Sequence, residues 1–530
     1  MLITIRNLSE EPISAHTVPN HSKFSASKAN SPFGPPTEPE FILHPSINFS
    51  TTLAKGLNRE LVLHRLGYRK GDHQQLSKVP SGDTAVEDKE AKVWHVHPEG
   101  FKIRLSMMGA ASWQPVHVDD QCPWKVYCNR ITRKHHQIII VNRRNLGSFL
   151  SDLPDALPLS SVVLPGTHDT MAFHGWPISQ CQSPQTPLMT QMLNGVRILD
   201  IRLAVIPPPK RLRSNIPTPP DPKEHKLIAY HGLWPQKTPF QDILSDVHGF
   251  LSSPIGMRET IVMSIKQEDF AITPAPFFSQ LVRAEIVSGA GGWDDSKPVG
   301  EDEIDGIGVN RGMWFLENRI PRLQEVRGKV IMFSRFGGNG DGWPGGLEGL
   351  GIHPTTWPDS AKEGFEWELK GTTVRTHDWY SIPTFLSIPE KLERGVSNIL
   401  LVPPNPPRPL LPITYFSASS FPLAFPPTIA KGFAWPKWGI GIEGINSRLG
   451  KWILDQFGDR VALGPPLHDT KEVENEMGRT SKQQSNPLNE PRIRGWTFLD
   501  YYSQPEGAEE LVSLLVECNF KGRKSGEEGW

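Results

Sequence analysis

From Asp152 onward the chain is punctuated by eight short apolar runs, each followed by a segment of helix-like or loop-like composition, and this rhythm restricts the fold more than any other feature. The runs are Ser161–Pro165, Arg197–Leu203, Leu227–Tyr230, Thr260–Ile265, Lys329–Ser334, Thr373–Thr376, Ile413–Phe416 and Trp496–Leu499. They are mostly continuous Val, Ile and Leu without strict apolar–polar alternation, as expected of parallel strands covered on both faces. Strands alternating with helices imply a βα repeat. Eight of them imply an α/β fold of the (β/α)8 TIM-barrel type, somewhat irregular, over residues 150–525. Pro-rich interruptions at Pro207–Pro222, Pro403–Pro412 and Pro422–Pro427 read as loop insertions, because proline removes a helical donor and blocks the preceding turn.

Residues 1–145 follow a different grammar. Alternating or β-branched runs at Leu2–Arg6, Phe41–Asn48, Val93–Val96, Phe101–Met107, Trp124–Cys128 and Gln137–Val141 are separated by turn and charged segments. They imply a small β-rich, sandwich-like N-terminal module whose role the sequence leaves open. The polar stretches Lys70–Lys92 and Lys471–Gln484 read as loops. A chain of 530 residues has room for two domains of this kind.

Composition narrows the function classes. A formal net charge of -1 gives no general pull towards nucleic acid or an anionic membrane, so contact with acidic lipid must be local. The four cysteines show no CxxC or Cys/His metal spacing, although Cys122 and Cys128 are close enough in sequence to pair. There is no basic start followed by an apolar core, no run long enough to span a membrane and no lipidation signal. The expectation is therefore a soluble, cytoplasmic protein with at most peripheral membrane contact, its oligomeric state open. The Trp- and Phe-bearing loops Ser420–Pro427 and Phe433–Trp438 suit a membrane interface, with ordinary packing as the plainer reading.

In a barrel, chemistry gathers where strand ends meet the loops that follow. The first run leads into His168-Asp169, and histidine is the side chain whose resting pKa suits proton transfer near neutrality. Asp200 and Arg202 lie two apart on the second run and so face one way; inside an apolar strand they must pair or bind a ligand. The third run leads to His231, the fourth carries Lys266 and Glu268 at the same two-residue spacing, the fifth ends at Arg335 and the last at Asp500. Each has an ordinary structural reading: a hydrogen-bonded histidine, an ion pair, a solvated rim or a helix cap. Gathered at one mouth, they make an acid–base pair of histidines with carboxylates beside them and guanidinium charge for an oxyanion. That is the composition of a phosphodiester-cleaving site.

The same residues also resemble a family. Leu-Pro-Gly-Thr-His168-Asp169-Thr, Arg197-Ile-Leu-Asp200-Ile-Arg202, Tyr230-His231-Gly232 and Ser-Ile-Lys266-Gln-Glu268 are similar to motifs in the X-domain of bacterial-type phosphatidylinositol-specific phospholipases C. Phe-Ser-Arg335, Trp357-Pro-Asp359, His377-Asp378-Trp-Tyr380 and Phe-Leu-Asp500-Tyr501 continue the likeness in the same order. The resemblance implies that His168 is the general base towards the inositol 2-hydroxyl, oriented by Asp500. It makes His231 the general acid towards the diacylglycerol oxygen, helped by Asp169. Arg202, held by Asp200, would contact the phosphate. It gives head-group binding to Lys266, Glu268, Arg335, Trp357, Asp378 and Tyr380, with Trp343-Pro344 competing for the tryptophan position because Phe336–Gly351 looks inserted. Calcium-dependent relatives carry acidic residues where this chain has Asp200 and Arg202, so the resemblance implies no calcium, no other metal and no cofactor. The reading is a phospholipase C-type phosphodiesterase acting on an inositol phospholipid, with no nucleic-acid partner. A metal-dependent barrel acting on another head group, glycerophosphodiester-like, is the runner-up enzyme, and a catalytically silent lipid-binding barrel is the non-enzymatic alternative.

Overall fold

The computed structural model describes residues 2–17, 41–45, 48–52, 60–68, 94–105, 109–209, 221–292, 312–338, 340, 343, 345–401, 408–438, 440–458 and 492–523. The loops read at Lys70–Lys92 and Lys471–Gln484, and parts of Pro207–Pro222 and Pro403–Pro412, lie outside the described residues. The chain divides into two compact units. One comprises Met1–Met108, Ser112–Arg143 and Leu454–Asn486; the other comprises Gly109–Ala111, Arg144–Ile453 and Pro487–Trp530.

The first unit is built of strands. They are β1 (Leu2–Asn7), β2 (Ile13–Thr17), β3 (Phe41–Leu43), β4 (Asn48–Thr52), β5 (Glu60–Tyr68), β6 (Trp94–Arg104), β7 (Trp113–Val116), β8 (Trp124–Thr132) and β9 (His135–Asn142). They form two sheets, in the orders β4-β1-β9-β8-β7 and β3-β2-β5-β6. Ile3 and Ile5 alternate inward on β1, and Phe101 of β6 meets Trp124 of β8 edge-on at 5.9 Å between centroids, which joins the two sheets through one core. Of these strands, β2, β5 and β7 have no counterpart among the runs read from sequence. The pairing of Cys122 with Cys128 does not occur: both are buried thiols and no disulfide joins them.

The second unit is a mixed α/β fold. Its strands are β10 (Val163–Thr167), β11 (Ile198–Ile206), β12 (Lys226–His231), β13 (Trp234–Pro239), β14 (Thr260–Gln267), β15 (Trp314–Phe315), β16 (Lys329–Arg335), β17 (Phe365–Leu369), β18 (Thr372–His377), β19 (Leu410–Tyr415), the short pair β20 (Gly432–Phe433) and β21 (Ile442–Glu443), and β22 (Gly495–Leu499). Among them run helices α1 (Leu188–Leu193), α2 (Phe240–Leu251), α3 (Ala275–Ser288), α4 (Leu323–Val326), α5 (Ile388–Ile399), α6 (Pro426–Lys431), α7 (Ile445–Phe457) and α8 (Leu511–Glu517). The main sheet runs β15-β16-β14-β11-β10-β22-β19-β18-β17, parallel throughout except for the antiparallel edge strand β17. Read from β10, neighbours follow chain order through β11, β14 and β16 on one side, with the two-residue β15 beyond β16, and run in reverse order from β22 to β17 on the other, so the sheet curls upon itself. Its edges β15 and β17 share no ladder among the described residues.

One strand departs from expectation. The run Leu227–Tyr230 is not a parallel member of the sheet; β12 pairs antiparallel with β11, Leu203 opposite Ala229, and continues into the β13 hairpin. A parallel crossover is usually carried by a helix, and the proline-rich sequence between Ile206 and Lys226 has no helical pattern to supply one. The burial of β12 alternates, Leu227 and Ala229 inward, as befits a strand with one wet face. The eighth parallel strand is instead the two-residue β15.

The base of the sheet is tied by a buried ion pair. Arg197, at the start of β11, donates Nε to Glu259 Oε2 at 2.8 Å, and its remaining nitrogens to the carbonyls of Met192, Val196, Leu146 and Gly147. Glu259 also accepts the amides of Leu150 and Ser151. With its donors satisfied, the guanidinium can be fully buried.

Candidate active site

The C-terminal ends of β10, β11, β14, β16, β18 and β22 open on one cavity of about 340 Å³. His168, Arg202, His231, Lys266, Arg335, Trp357, Asp378, Tyr380 and Asp500 line it, together with Cys181, Asp359 and Ser417–Ser419. Asp169, Asp200 and Glu268 stand behind that lining, each bonded to it. All twelve residues singled out by the sequence therefore meet around one hollow.

The backbone aims the first histidine. His168 follows β10, its carbonyl accepts Gln182 Nε2 at 2.8 Å, and its amide donates to Leu499 O on the neighbouring β22. The next residue, Asp169, adopts φ 44, a left-handed turn that Asp tolerates better than most side chains. The turn brings the Asp169 amide onto Asp200 Oδ2 at 3.2 Å and swings its carboxylate between the histidines. Asp500 is held in the same way, with its carbonyl and that of Tyr501 accepting Asn446 Nδ2.

His168 Nδ1 lies 2.9 Å from Asp500 Oδ1, and Arg202 Nη2 lies 2.6 Å from His168 Nε2. A guanidinium can only donate, so Nε2 is the acceptor and the imidazole proton is on Nδ1, directed at Asp500. Burial, and then the charge of Arg202, hold the His168 pKa well below the ordinary histidine range, keeping the ring neutral. His231 arrives on the returning strand β12. Its Nδ1 donates to Ser179 O at 2.7 Å, and its Nε2 lies 3.3 Å from Asp169 Oδ2. The same carboxylate oxygen is 3.2 Å from His168 Nε2. One oxygen thus faces the outer nitrogens of both rings.

Arg202 is the hub of the carboxylates. Its Nε lies 2.8 Å from Asp169 Oδ1 and 3.2 Å from Asp200 Oδ2, and its Nη1 lies 3.3 Å from Glu268 Oε1. Burial pushes the Asp169 carboxyl up to about 6 against the attraction of Arg202 and His231. Asp200 is equally buried, yet Arg202 and Arg335 outweigh the burial and hold it low. Asp500 is raised well above the usual range by burial, with Asp169 adding to the rise. The floor therefore holds Asp200 as a firm anion, while Asp169 and Asp500 take up protons readily.

The far wall is aromatic and cationic. Arg335 lies over the Trp357 ring at 4.1 Å from its centroid and donates to Tyr415 OH at 3.1 Å. Trp357 Nε1 donates to Asp378 Oδ2 at 2.9 Å, and Tyr380 OH donates to Asp359. Trp357, not Trp343, lines the cavity; Trp343 is buried beside Phe336 with its Nε1 on Ser279. Lys266 Nζ meets Glu268 Oε1 at 2.9 Å.

Sequence reasoning passed over several groups in the lining and behind it. Cys181, whose sulfur is 3.8 Å from His231 Nδ1, lies in a segment with no periodic signal. Tyr415 stacks on Phe498 at 4.1 Å inside a run that reads only as strand. Ser417 is buried at the cavity with its hydroxyl unbonded. Potential metal-binding groups exist among the described residues, namely His168, Cys181 and Asp500; Asp169, Cys181 and His231; and His168, Asp169 and Asp200, each with ligand atoms within 4.8 Å of one another. Arg202 already holds the inner oxygens of Asp169 and Asp200, and its positive charge opposes a cation there.

The chain is similar to a bacterial phosphatidylinositol phosphodiesterase. Over 212 residues it is 24% identical to the 1-phosphatidylinositol phosphodiesterase of Listeria monocytogenes, a match covering 37% of this chain and 50% of that protein. The chain thus spans about half the length of this curated relative. Among solved structures, a phosphatidylinositol-specific phospholipase C from S. aureus shares 19% identity, covering 71% of this chain and 98% of the other, with a TM-score of 0.45. The enzyme of the same name from Listeria monocytogenes shares 17%, covering 71% and 99%, with a TM-score of 0.41. No protein-family model matches the chain.

Proposed function

We propose that the chain cleaves an inositol phospholipid by general acid–base catalysis without a metal, as a phospholipase C-type phosphodiesterase. The observation that carries this reading is the placement of His168 Nε2 and His231 Nε2 within 3.3 Å of one Asp169 oxygen, at the floor of one cavity with Arg202.

The inositol 2-hydroxyl oxygen attacks phosphorus while its proton passes to His168 Nε2. Asp500 fixes the tautomer and stabilises the imidazolium as it forms. The bond from phosphorus to the diacylglycerol oxygen breaks, and that oxygen takes a proton from His231 Nε2, which Asp169 steadies. The products are diacylglycerol and a cyclic inositol phosphate. Water then opens the ring with the two histidines exchanging roles. A neighbouring hydroxyl as nucleophile has a high effective molarity, so no covalent enzyme intermediate is needed. Arg202 stabilises the charge on the non-bridging oxygens and replaces the cation that a metal-dependent site would use. Lys266, Glu268, Arg335 and Asp378 would read the ring hydroxyls, with Trp357 and Tyr380 as flat walls.

The fold that serves this chemistry is, in our reading, an irregular (β/α)8 barrel over residues 150–525, preceded by a β-rich module over residues 1–145. Membrane contact would come from loops beside the mouth. Ser420 and Ala424 bond to each other in both directions, closing a tight loop that leaves Phe421 75% and Leu423 56% exposed. Leu233, two residues after His231, is 92% exposed. Apolar tips of this kind suit the interfacial zone of a bilayer. No helix among the described residues is long and apolar enough to cross a membrane.

Product analysis by phosphorus NMR on phosphatidylinositol vesicles, with and without a chelator, tests the reading. A cyclic inositol phosphate that persists with chelator supports it. Loss of turnover on chelation, or cleavage on the diacylglycerol side of that oxygen, would overturn it.

A further inference from the structure

A second cavity, of about 380 Å³, adjoins the first. Lys266, Arg335 and Trp357 line both, so a single ligand can reach from one into the other. The outer walls come from the segment after β16: Phe336, Gly338, His353 and Pro354. Phe336 and Gly338 belong to the stretch Phe336–Gly351 that looked inserted in the sequence, His353 and Pro354 follow it, and two of the four have side chains with fixed partners. Phe336 packs against Phe278 and Trp343 at 5.6 and 6.1 Å, and His353 Nδ1 lies 3.0 Å from Ser334 Oγ.

The charge on these walls is one-sided. Among the described residues lining the second cavity are two cations, Lys266 and Arg335, and no carboxylate. Arg202 is consumed by Asp169, Asp200 and Glu268 on the other side. Lys266 has one carboxylate, Glu268, for its three ammonium protons, and Arg335 stands 3.8 Å from Asp200. Glu268 and Asp200 are shared with Arg202 and stand outside the lining of the second cavity, which itself carries the two cations and the N–H groups that these carboxylates leave unengaged. A phosphate monoester, carrying close to two negative charges near neutrality and three acceptor oxygens, complements such a wall. An amino-sugar substituent would bring a third cation to it, and a neutral sugar would offer neither cation an anionic acceptor.

We propose that this second cavity is a subsite for a phosphate monoester on the inositol ring, so that the chain favours a ring-phosphorylated inositol lipid over the unsubstituted one. The inference rests on the phosphodiester reading of the first cavity for its orientation of the ring.

Gly338 supplies a clean perturbation. Its φ of +51 is one that Asp and Asn adopt more readily than other side chains, and a Cβ there meets nothing within 4 Å. Gly338→Asp and Gly338→Asn make the same backbone demand and differ only in charge. Calorimetry would compare inositol monophosphate, esterified at the position of the lipid linkage, with inositol bisphosphates bearing a second phosphate elsewhere on the ring. The expected result is that the unaltered chain binds a bisphosphate about tenfold more tightly, and that Gly338→Asp, but not Gly338→Asn, loses that gain. Equal affinity for both ligands, or equal behaviour of the two variants, overturns the subsite. Vesicle assays separate the two readings. Cleavage of phosphatidylinositol but not of its ring-phosphorylated forms sinks the subsite alone. Cleavage of neither sinks the phosphodiesterase reading, and the calorimetry still decides whether the second cavity takes phosphate.

Discussion

Lys391 shares the inward stripe of α5 with Ile388, Gly395 and Ile399, is fully buried, and has no hydrogen-bond partner for its ammonium. Burial pulls its pKa from 10.5 down to about 7, against the attraction of Asp378 and Asp500. At about 1.4 kcal/mol per pH unit, that interval corresponds to roughly 5 kcal/mol by which the buried charge weakens the fold. The sign follows from the protons bound. Below about 7 both folded and unfolded chains carry the charge, and the folded state bears the whole cost. Between about 7 and 10.5 the folded chain has lost the proton while the unfolded chain keeps it, so stability rises with pH; above that interval the cost is gone. Lys391→Met keeps the length of the side chain and removes the charge. Urea unfolding of both proteins from pH 6 to pH 10 should show the variant more stable at the acid end by roughly 4 kcal/mol more than at the alkaline end, the gap closing steadily as pH rises. A gap that stays constant with pH, or widens, would refute a buried ammonium held at this pKa.

Other perturbations address the site and its supports. His168→Ala and His231→Ala should each lower turnover of the natural lipid by about two to four orders of magnitude; with an aryl leaving group that needs no proton, His231→Ala should recover and His168→Ala should not, and equal losses on both substrates would reverse or void the roles. Arg202→Lys replaces a fork that reaches Asp169, Asp200, Glu268 and His168 with a point charge, so kcat should fall by about 10²–10³ with circular dichroism unchanged; wild-type turnover would contradict the assignment. Arg197→Met strands the buried Glu259 and should cost about 3–5 kcal/mol in urea unfolding, and a neutral result would mean that the carboxylate is neutralised in place. Phe421→Ala with Leu423→Ala should weaken sedimentation with phosphatidylinositol vesicles by about tenfold or more while a soluble substrate is cleaved as before, and unchanged sedimentation would remove this loop from the membrane contact.

Seven of the eight apolar runs became parallel strands because continuous Val, Ile and Leu can be satisfied only where both faces of a strand are covered. The eighth misled because composition within a run does not encode strand direction. The signal lay in what precedes it, a proline-rich stretch between Ile206 and Lys226 with no helical pattern to carry a crossover. The two-residue β15 left no trace at all, since two residues are below any periodicity. In the site, charged residues two apart on apolar strands announced themselves by their improbable burial. Cys181, Ser417 and Tyr415 are of types routinely found in cores, and only the folded geometry sets the first two against the cavity and the third against Arg335. The competition between Trp343 and Trp357 was settled by partners: Trp357 reaches Asp378, while Trp343 is taken up by Ser279.

The free site also contains its own constraint on the proposed reaction. Arg202 Nη2 sits 2.6 Å from His168 Nε2, so the lone pair that must accept the substrate proton is occupied by a guanidinium N–H. A base in this state cannot act. The arriving phosphodiester, however, is the strongest competitor for that N–H, because a charged oxygen is a better acceptor than a neutral imidazole nitrogen. As the phosphate takes Nη2, the Nε contacts to Asp169 and Asp200 can keep the guanidinium in place, and the imidazole is released with its Nδ1–H still donated to Asp500. Ligation of the phosphate and exposure of the base are then one event, so a ligand lacking the phosphate would leave His168 masked. Asp200 has a defined part in this scheme: held ionised by Arg202 and Arg335, it is the firmer of the two anions that keep the guanidinium from following the phosphate outward, the other being Asp169, whose carboxyl burial raises to about 6.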